Sequence, residues 1–525
     1  MYDILIKNAI IIDGTKNSKY KSDVGIFEGR IKKIKREIDV KSAEKVIHAE
    51  NLYLTPGFVD LNNHADTFLT LFTIPSQESL LKQGITTILG GNCGSSLAPL
   101  VSADIIATIQ KWADISEINL NWLTFEEYLD VLEKKPIGVN FASLVGHSTL
   151  RRGLLKDEFR ALKPKELKIM GEMLKKAMKQ GAFGLSTGLA YSHAKVATTK
   201  EIIDLAKIVK SFDGLYSTHI RGEAEELIPA IEETIEVAQK TGVNTEILHL
   251  KAMGAKNWPS MKNAIELIEK AKRANINFDL YPYTITGSVL YILLPDWVAE
   301  GGRKMLLKRL KDPVIKQKVI KEMQEEEAYE YDKVTLAISP VYKSFIGKKI
   351  IEIAEAQKVS IEEAIINMLL ISEDKVIAFI DTLSEENIGM EMVHPLSFIA
   401  SDGAGYNFDY QKKKNDLVHP RCFGAFPRVL AKYVKEKHIL SWEEAIYKMT
   451  NGPAKKIGLK NRGLVKEGYW ADLVLINPDK INDRATFKNP YQYPDGVKYV
   501  MVNGKIAVDG GAYTGEKAGE ILKRT

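Results

Sequence analysis

Residues 215–250 read LYSTHIRGEAEELIPAIEETIEVAQKTGVNTEILHL. The stretch opens and closes on short apolar runs, LYSTHI and TEILHL, each of a length and composition suited to a buried strand. Between them lies EELIPAIEETIEVAQK, in which Leu227, Ile228, Ile231, Ile235 and Ala238 share one stripe of a helix. Strand, helix, strand in this order predicts two parallel strands joined by a crossover helix. Each strand closes near a histidine, His219 and His249, where apolar sequence gives way to polar. The layout recurs on both sides. FVDLNNH, TTILGGN, NFASLVGH and FGLSTG come before it and NFDLYPY and LSFIASDG after it, making eight candidate strands. Eight such units predict an α/β fold, a TIM-like (β/α)8 barrel, whose chemistry sits at the C-terminal ends of the strands.

At 525 residues the chain is too long for one ordinary domain but suits a barrel with an appended module. Both ends carry short strands with turn signals. DILIKNAIII, DVGIFEGRIKKI and KVIHAENLYLTPG break at Asp13-Gly14 and Glu28-Gly29, and ADLVLINP and VKYVMVNGKIAVDGG have the same character. Residues 1–56 and 456–525 are therefore expected to pair into a small β-sandwich. Barrel strands one to seven are expected in 57–287 and barrel completion with strand eight in 346–455. Residues 288–345 are too long for one loop and read as an inserted, mostly helical, lid-like subdomain.

Apolar residues make up 45% and charged residues 27%, enough for a large core. The formal net charge of +5 is weak for this length, and Lys and Arg alternate with Asp and Glu as in IKKIKREI. No basic stripe interleaved with aromatics is present, so nucleic acid is not an expected partner. The start, MYDILIKNAIIIDG, reads as a strand rather than a leader or membrane anchor. Two cysteines, Cys93 and Cys422, give no disulfide framework and fit a reducing cytoplasm. Oligomeric state stays open.

Cys93, in GGNCG, joins His219 and His249 at the strand ends. One thiolate and two imidazoles suit Zn²⁺ and leave a fourth position for water, the arrangement of a catalytic zinc. Other polar residues close the remaining strands: Asn62 and His64, His147, Ser186, Tyr281 and Tyr283, and Asp402.

The motifs PGFVDLNNHAD, TTILGGNCGSSLAP, LVGHSTLRRG, GLSTGLAY, YSTHIRGEAEEL, LHLKAMG, LYPYT, SDG, HPRCFGAFPRVL and GLVKEGYWADLVL occur in this order. Together they resemble the amidohydrolase superfamily, specifically its N-acyl-D-amino-acid deacylases (D-aminoacylases). The resemblance implies that Cys93, His219 and His249 form the tightly held metal site, with Cys93 where many members use a carboxylated lysine. It implies Asp402 as proton shuttle, Arg421 as the grip on the substrate carboxylate, and Lys251, Tyr281 and Tyr283 as pocket residues. There is one departure. The family's His-x-His on strand one is here Asn62-Asn63-His64. An amide is a poor zinc ligand beside imidazole, so one tightly bound zinc is expected and a second is disfavoured.

The expected chemistry is zinc-dependent hydrolysis of the amide of an N-acyl-D-amino acid. A water acidified by the metal attacks the carbonyl, while Asp402 takes its proton and returns one to the leaving amine. Arg421 matches a carboxylate with its planar fork, and Lys251 adds a point charge. His64 serves either as a ligand or as a donor to substrate, with Asp60 and Asp66 placed to orient it. Tyr281 and Tyr283 alternate along one strand, so one faces inward. Asn62, His147 and Ser186 are pocket candidates, for which core packing is an equal account. Two alternatives stand beside this reading: a cyclic amidase of the hydantoinase or dihydroorotase type, and a non-catalytic binding module, which the loss at Asn62 motivates.

Overall fold

The computed structural model describes all residues except 103–117, 157, 272–273, 326–329, 414–415 and 525. Its centre is a ring of parallel strands: Phe58–Asp60, Ile85–Gly90, Asn140–Ser143 continuing in Val145–Gly146, Gly184–Gly188, Leu215–His219, Asn244–Ile247, Ile276–Leu280 and Ser397–Ile399. Phe58–Asp60, Ile85–Gly90 and Asn140–Ser143 pair in sequence order, and Val145–Gly146 continues the pairing round to Ser397–Ile399. A parallel bridge between Asn63 and Gly403 joins strand one to strand eight and closes the barrel. Apolar side chains from six of the strands meet inside, among them Leu61, Leu89, Leu144, Phe183, Leu215 and Phe398. The interior below the strand ends is thus a packed core, not a pore.

The crossover helix of the opening stretch is Leu227–Thr241, ended by Gly242 in the left-handed region at φ 65°. Its buried face is Leu227, Ala230, Ile231, Thr234, Val237 and Ala238. Ile228 and Ile235 sit at the flank, partly buried against the same cluster. Reading apolar side chains alone rotates the stripe towards them, because the small Ala230 and Thr234 mark the line of closest approach.

The termini form one curled antiparallel and parallel sheet. Five strands from residues 2–56 meet four from residues 473–513, with Tyr53–Pro56 antiparallel to Leu473–Ile476. Residues from both ends, including Ile6, Val24, Leu54, Leu473 and Met501, share one core, so the sheet folds over as a β-sandwich.

The insertion is larger than residues 288–345, and beside its helices it carries a small sheet. It runs from Ile285–Val289 to Ile377–Asp381, and Ile377–Asp381 pairs antiparallel with both Ile285–Val289 and Val334–Ile338. Helices such as Gly302–Lys311, Ile350–Gln357 and Ile361–Ile371 cover it around a separate core. The reason is non-locality. VTLAI and IAFID pair with each other across two intervening helices, and IAFID pairs also with ITGSV far upstream, so neither pairing shows in a local reading. Among the described residues, no helix is long and apolar enough to cross a membrane.

Barrel closure rests on one buried carboxylate. Asp60 accepts from Ser401 N at 2.9 Å, Ser401 Oγ at 2.5 Å and Asn63 Nδ2 at 2.8 Å. Burial pushes its pKa up to about 6, which these donors counteract. Asp60→Ala strands three buried donors and is expected to lower unfolding free energy by roughly 2–4 kcal/mol. Asp213→Ala, at an exposed carboxylate, is expected to stay within about 0.5 kcal/mol of the parent. Chemical denaturation of the two variants checks both.

Candidate active site

Three donors converge at the C-terminal rim of the barrel. Cys93 Sγ lies 3.7 Å from His219 Nδ1 and 3.5 Å from His249 Nε2, and all three ligand atoms fall within 4.8 Å of one another. Zinc bonds of about 2.3 Å to sulfur and about 2.0–2.1 Å to nitrogen, at tetrahedral angles, place S and N about 3.6 Å apart. The donor set and its spacing fit that ion.

The loop that carries Cys93 is held from every side. Ser186 Oγ donates to Gly91 O and accepts from Gly94 N. Asn92 Nδ2 donates to Leu61 O and Leu89 O. Asp66 Oδ2 accepts from Gly91 N at 2.7 Å. Gly94 has φ 75°, and a Cβ there would meet Gly188 N at 2.7 Å, so close strand packing requires glycine. Cys93 itself has φ 51°, and His249 and Asp402 have φ 35° and 48°. All three site residues sit in the left-handed region that L side chains avoid.

Burial pushes the Cys93 thiol well above its usual pKa, with Asp402 adding to the effect. A bound cation reverses this and takes the thiolate. Burial, then the Lys251 charge, lowers His249 to about 4, leaving it neutral at pH 7 as a ligand must be.

Asp402 stands beside these donors. Its Oδ1 is 2.9 Å from His64 Nε2 and its Oδ2 is 2.6 Å from Arg421 Nη1. Burial favours its protonation, but Arg421, then His249 and His64, outweigh this and hold it far below the usual carboxylate range. Arg421 lies over the Tyr281 ring, 4.8 Å from its centroid, and its Nε and Nη1 have no aligned acceptor. His419 fixes its backbone: Nε2 donates to Ile285 O at 2.9 Å and Nδ1 accepts from Arg421 N at 3.1 Å.

Cys93, His219, His249, His64, Lys251, Asp402 and Arg421 all line a cavity of about 1000 Å³ between the barrel rim and the insertion. The other expected pocket residues do not. Asn62 is fully buried, its Nδ2 on Asp279 Oδ1 at 3.3 Å. His147 is buried against Glu201, which also takes Arg151. Ser186 is spent on the Cys93 loop. Tyr281 lies under Arg421 with its hydroxyl donating to Thr286 Oγ1, whereas Tyr283 packs against His419 and Arg428. Asp60 and Asp66 accept from other groups than the His64 ring, Asp60 from Ser401 and Asn63 and Asp66 from Gly91 N.

Three residues escaped the sequence reading. Asp279 accepts from His249 N at 2.8 Å, and burial pushes it up to about 8; an acid inside the apolar run NFDLY was its signal. His419 stands two residues before Arg421. Glu223, four residues after His219, receives Lys251 Nζ at 2.5 Å. Lys251 also reaches His249 Nδ1 at 2.7 Å and His249 O at 2.9 Å.

Comparison with known proteins agrees with this geometry. Residues 53–507 match the Amidohydrolase family. The chain is 31% identical to a D-aminoacylase of Alcaligenes xylosoxydans xylosoxydans over 525 residues, covering 100% of this chain and 98% of that protein. A crystal structure of a D-aminoacylase superposes with TM-score 0.83 at 29% identity, covering 100% of each chain. An N-acyl-D-glutamate deacylase of Bordetella bronchiseptica, solved with zinc and a phosphonate mimic of the tetrahedral intermediate, gives TM-score 0.82 at 27% identity over 99% of each chain. The protein belongs to the amidohydrolase family, in the branch that contains the D-aminoacylases.

Proposed function

We propose that this chain hydrolyses N-acyl-D-amino acids at one zinc held by Cys93, His219 and His249. The observation that carries this reading is the convergence of those donors with Asp402 and Arg421 in one cavity. Zinc bound there supplies an acidified water and a polarised amide carbonyl. The rest is the work of side chains. Asp402, anchored by His64, accepts the proton of the attacking water and delivers it to the departing amine, which would otherwise leave as an anion. Arg421 takes the substrate α-carboxylate in its planar fork. Asn62 supports a single metal: strand one offers a buried amide turned onto Asp279 where a second imidazole would be needed.

The cavity favours an uncharged substrate side chain. Among the described residues, the lining cations besides Arg421 each face a carboxylate: Lys195 with Asp296, Arg221 with Glu233, Lys251 with Glu223, Lys256 with Glu225 and Lys333 with Glu330. The insertion adds an apolar wall, including Val289, Ile338, Ile377 and Phe379. A second carboxylate on the substrate finds no spare cation there.

Four outcomes are expected. Cys93→Ala and His219→Ala abolish zinc retention, measured by elemental analysis, together with amide hydrolysis. Asp402→Asn keeps the zinc and lowers kcat by roughly 10²–10⁴-fold; loss of metal instead would make Asp402 a ligand. In a panel of N-acetyl amino acids scored for released amine, N-acetyl-D-leucine outpaces N-acetyl-D-glutamate and the L forms. In the same assay Arg421→Met raises KM about 10- to 100-fold.

A further inference from the structure

Both ligand imidazoles turn one nitrogen towards Cys93 and the other towards the same atom. His219 presents Nδ1 to the sulfur and Nε2 to Glu223 Oε1, 3.3 Å away. His249 presents Nε2 to the sulfur and Nδ1 to Glu223 Oε1, also 3.3 Å away. The rings stand nearly perpendicular at 83°, with centroids 4.5 Å apart, so a single oxygen meets the outer edge of each. We infer that Glu223 is the positioning residue of the metal centre, one carboxylate oxygen fixing the tautomer and orientation of both imidazoles. The inference rests on the zinc site proposed above.

The chemistry is specific. A histidine that binds metal through one nitrogen carries its proton on the other, and that N–H needs an acceptor. For both rings the acceptor in place is Glu223 Oε1. Lys251 completes the unit: its ammonium donates to the same oxygen and to His249 O, offsetting the charge of a carboxylate only 9% exposed. Lys251 Nζ also stands 2.7 Å from His249 Nδ1, so with the proton on that nitrogen the ammonium turns its N–H groups to Glu223 Oε1 and His249 O, which still satisfy it. Lys251 is thereby committed to the metal side of the cavity, which reassigns it from the substrate role that its sequence position suggested. The carboxylate is also fixed through its backbone, since Met253 N donates to Glu223 O at 2.6 Å and ties the loop after strand five to the loop after strand six. One glutamate thus links the two strand ends that carry the histidines.

The test is zinc affinity by competition with a chromophoric chelator, together with the visible spectrum of the Co²⁺-substituted full chain. Glu223→Gln puts an amide N–H₂ or a single weak acceptor against two ring N–H groups. It is expected to weaken zinc binding about 10- to 100-fold and to change the Co²⁺ ligand-field bands. Glu223→Asp, which keeps the charge but withdraws it by one methylene, is expected to fall between Gln and the parent. Glu225→Gln, at the exposed neighbour paired with Lys256, is expected to match the parent. Parent-like zinc affinity and Co²⁺ spectrum in Glu223→Gln overturn the inference. If Glu223→Gln does not fold, parent-like affinity in Glu223→Asp overturns it equally. A parent chain that itself takes up no zinc refutes the metal reading instead, so the two failures are distinct.

Discussion

The site depends on three backbone residues held where L side chains do not rest. Cys93, His249 and Asp402 each follow a barrel strand and each adopts a positive φ. The conformation turns the chain at the strand end, where these three side chains line the cavity. Each such residue costs on the order of 1–3 kcal/mol and persists only where its surroundings over-determine it. Here they do. The Cys93 turn is clasped by Ser186, Asn92 and Asp66. The His249 turn is fixed by Asp279, which accepts its N–H and whose carbonyl takes Leu250 N. The Asp402 turn is secured by Ser401 Oγ on Gly403 N, with Asp60 behind it. The buried acids beneath the rim are fasteners for strained turns rather than reagents.

This division explains what the sequence made legible. Alternation of apolar strands with an amphipathic helix is a local property, and it specified the barrel. The three converging donors were visible because Cys, His and His at strand ends form a chemically unusual set. The extent of the insertion was underestimated because its sheet joins Ile285–Val289 to Ile377–Asp381, and no window of sequence contains that pairing. Ser186 and His147 illustrate a subtler limit. Their position at strand ends is the same as that of the ligands, but whether a short side chain reaches the cavity or the neighbouring loop depends on the depth of each strand in the ring. Glu223 was hidden for the opposite reason. An acid in GEAEEL is ordinary in sequence, and only the rings it faces give it a role.

The two charge clusters at the rim are organised around different tasks. Glu223 and Lys251 neutralise each other on the side of the imidazoles. Asp402 and Arg421 do so on the other, 2.6 Å apart. Neither pair is held for stability alone, since taking two charges out of water costs about as much as their attraction returns. What the pairing provides is position. Each charged group arrives at the rim already desolvated and already aimed.

Arg421 shows why this matters for the proposed reaction. Its guanidinium is buried against the Tyr281 ring and its backbone is pinned by His419. Two of its nitrogens lack an aligned acceptor although Asp402 is in ionic contact. In the proposed complex a carboxylate entering the cavity meets a guanidinium already held by Tyr281, Asp402 and His419, and such preorganisation is where bound complexes gain over flexible ones. The same contact bears on Asp402. Arg421 is the foremost of the charges that hold the carboxyl far below its normal range, and a carboxylate so stabilised is a weak base. An incoming substrate carboxylate shares the Arg421 charge and so loosens that hold. On the proposed mechanism Asp402 gains basicity as substrate binds, and Arg421 couples binding to proton transfer.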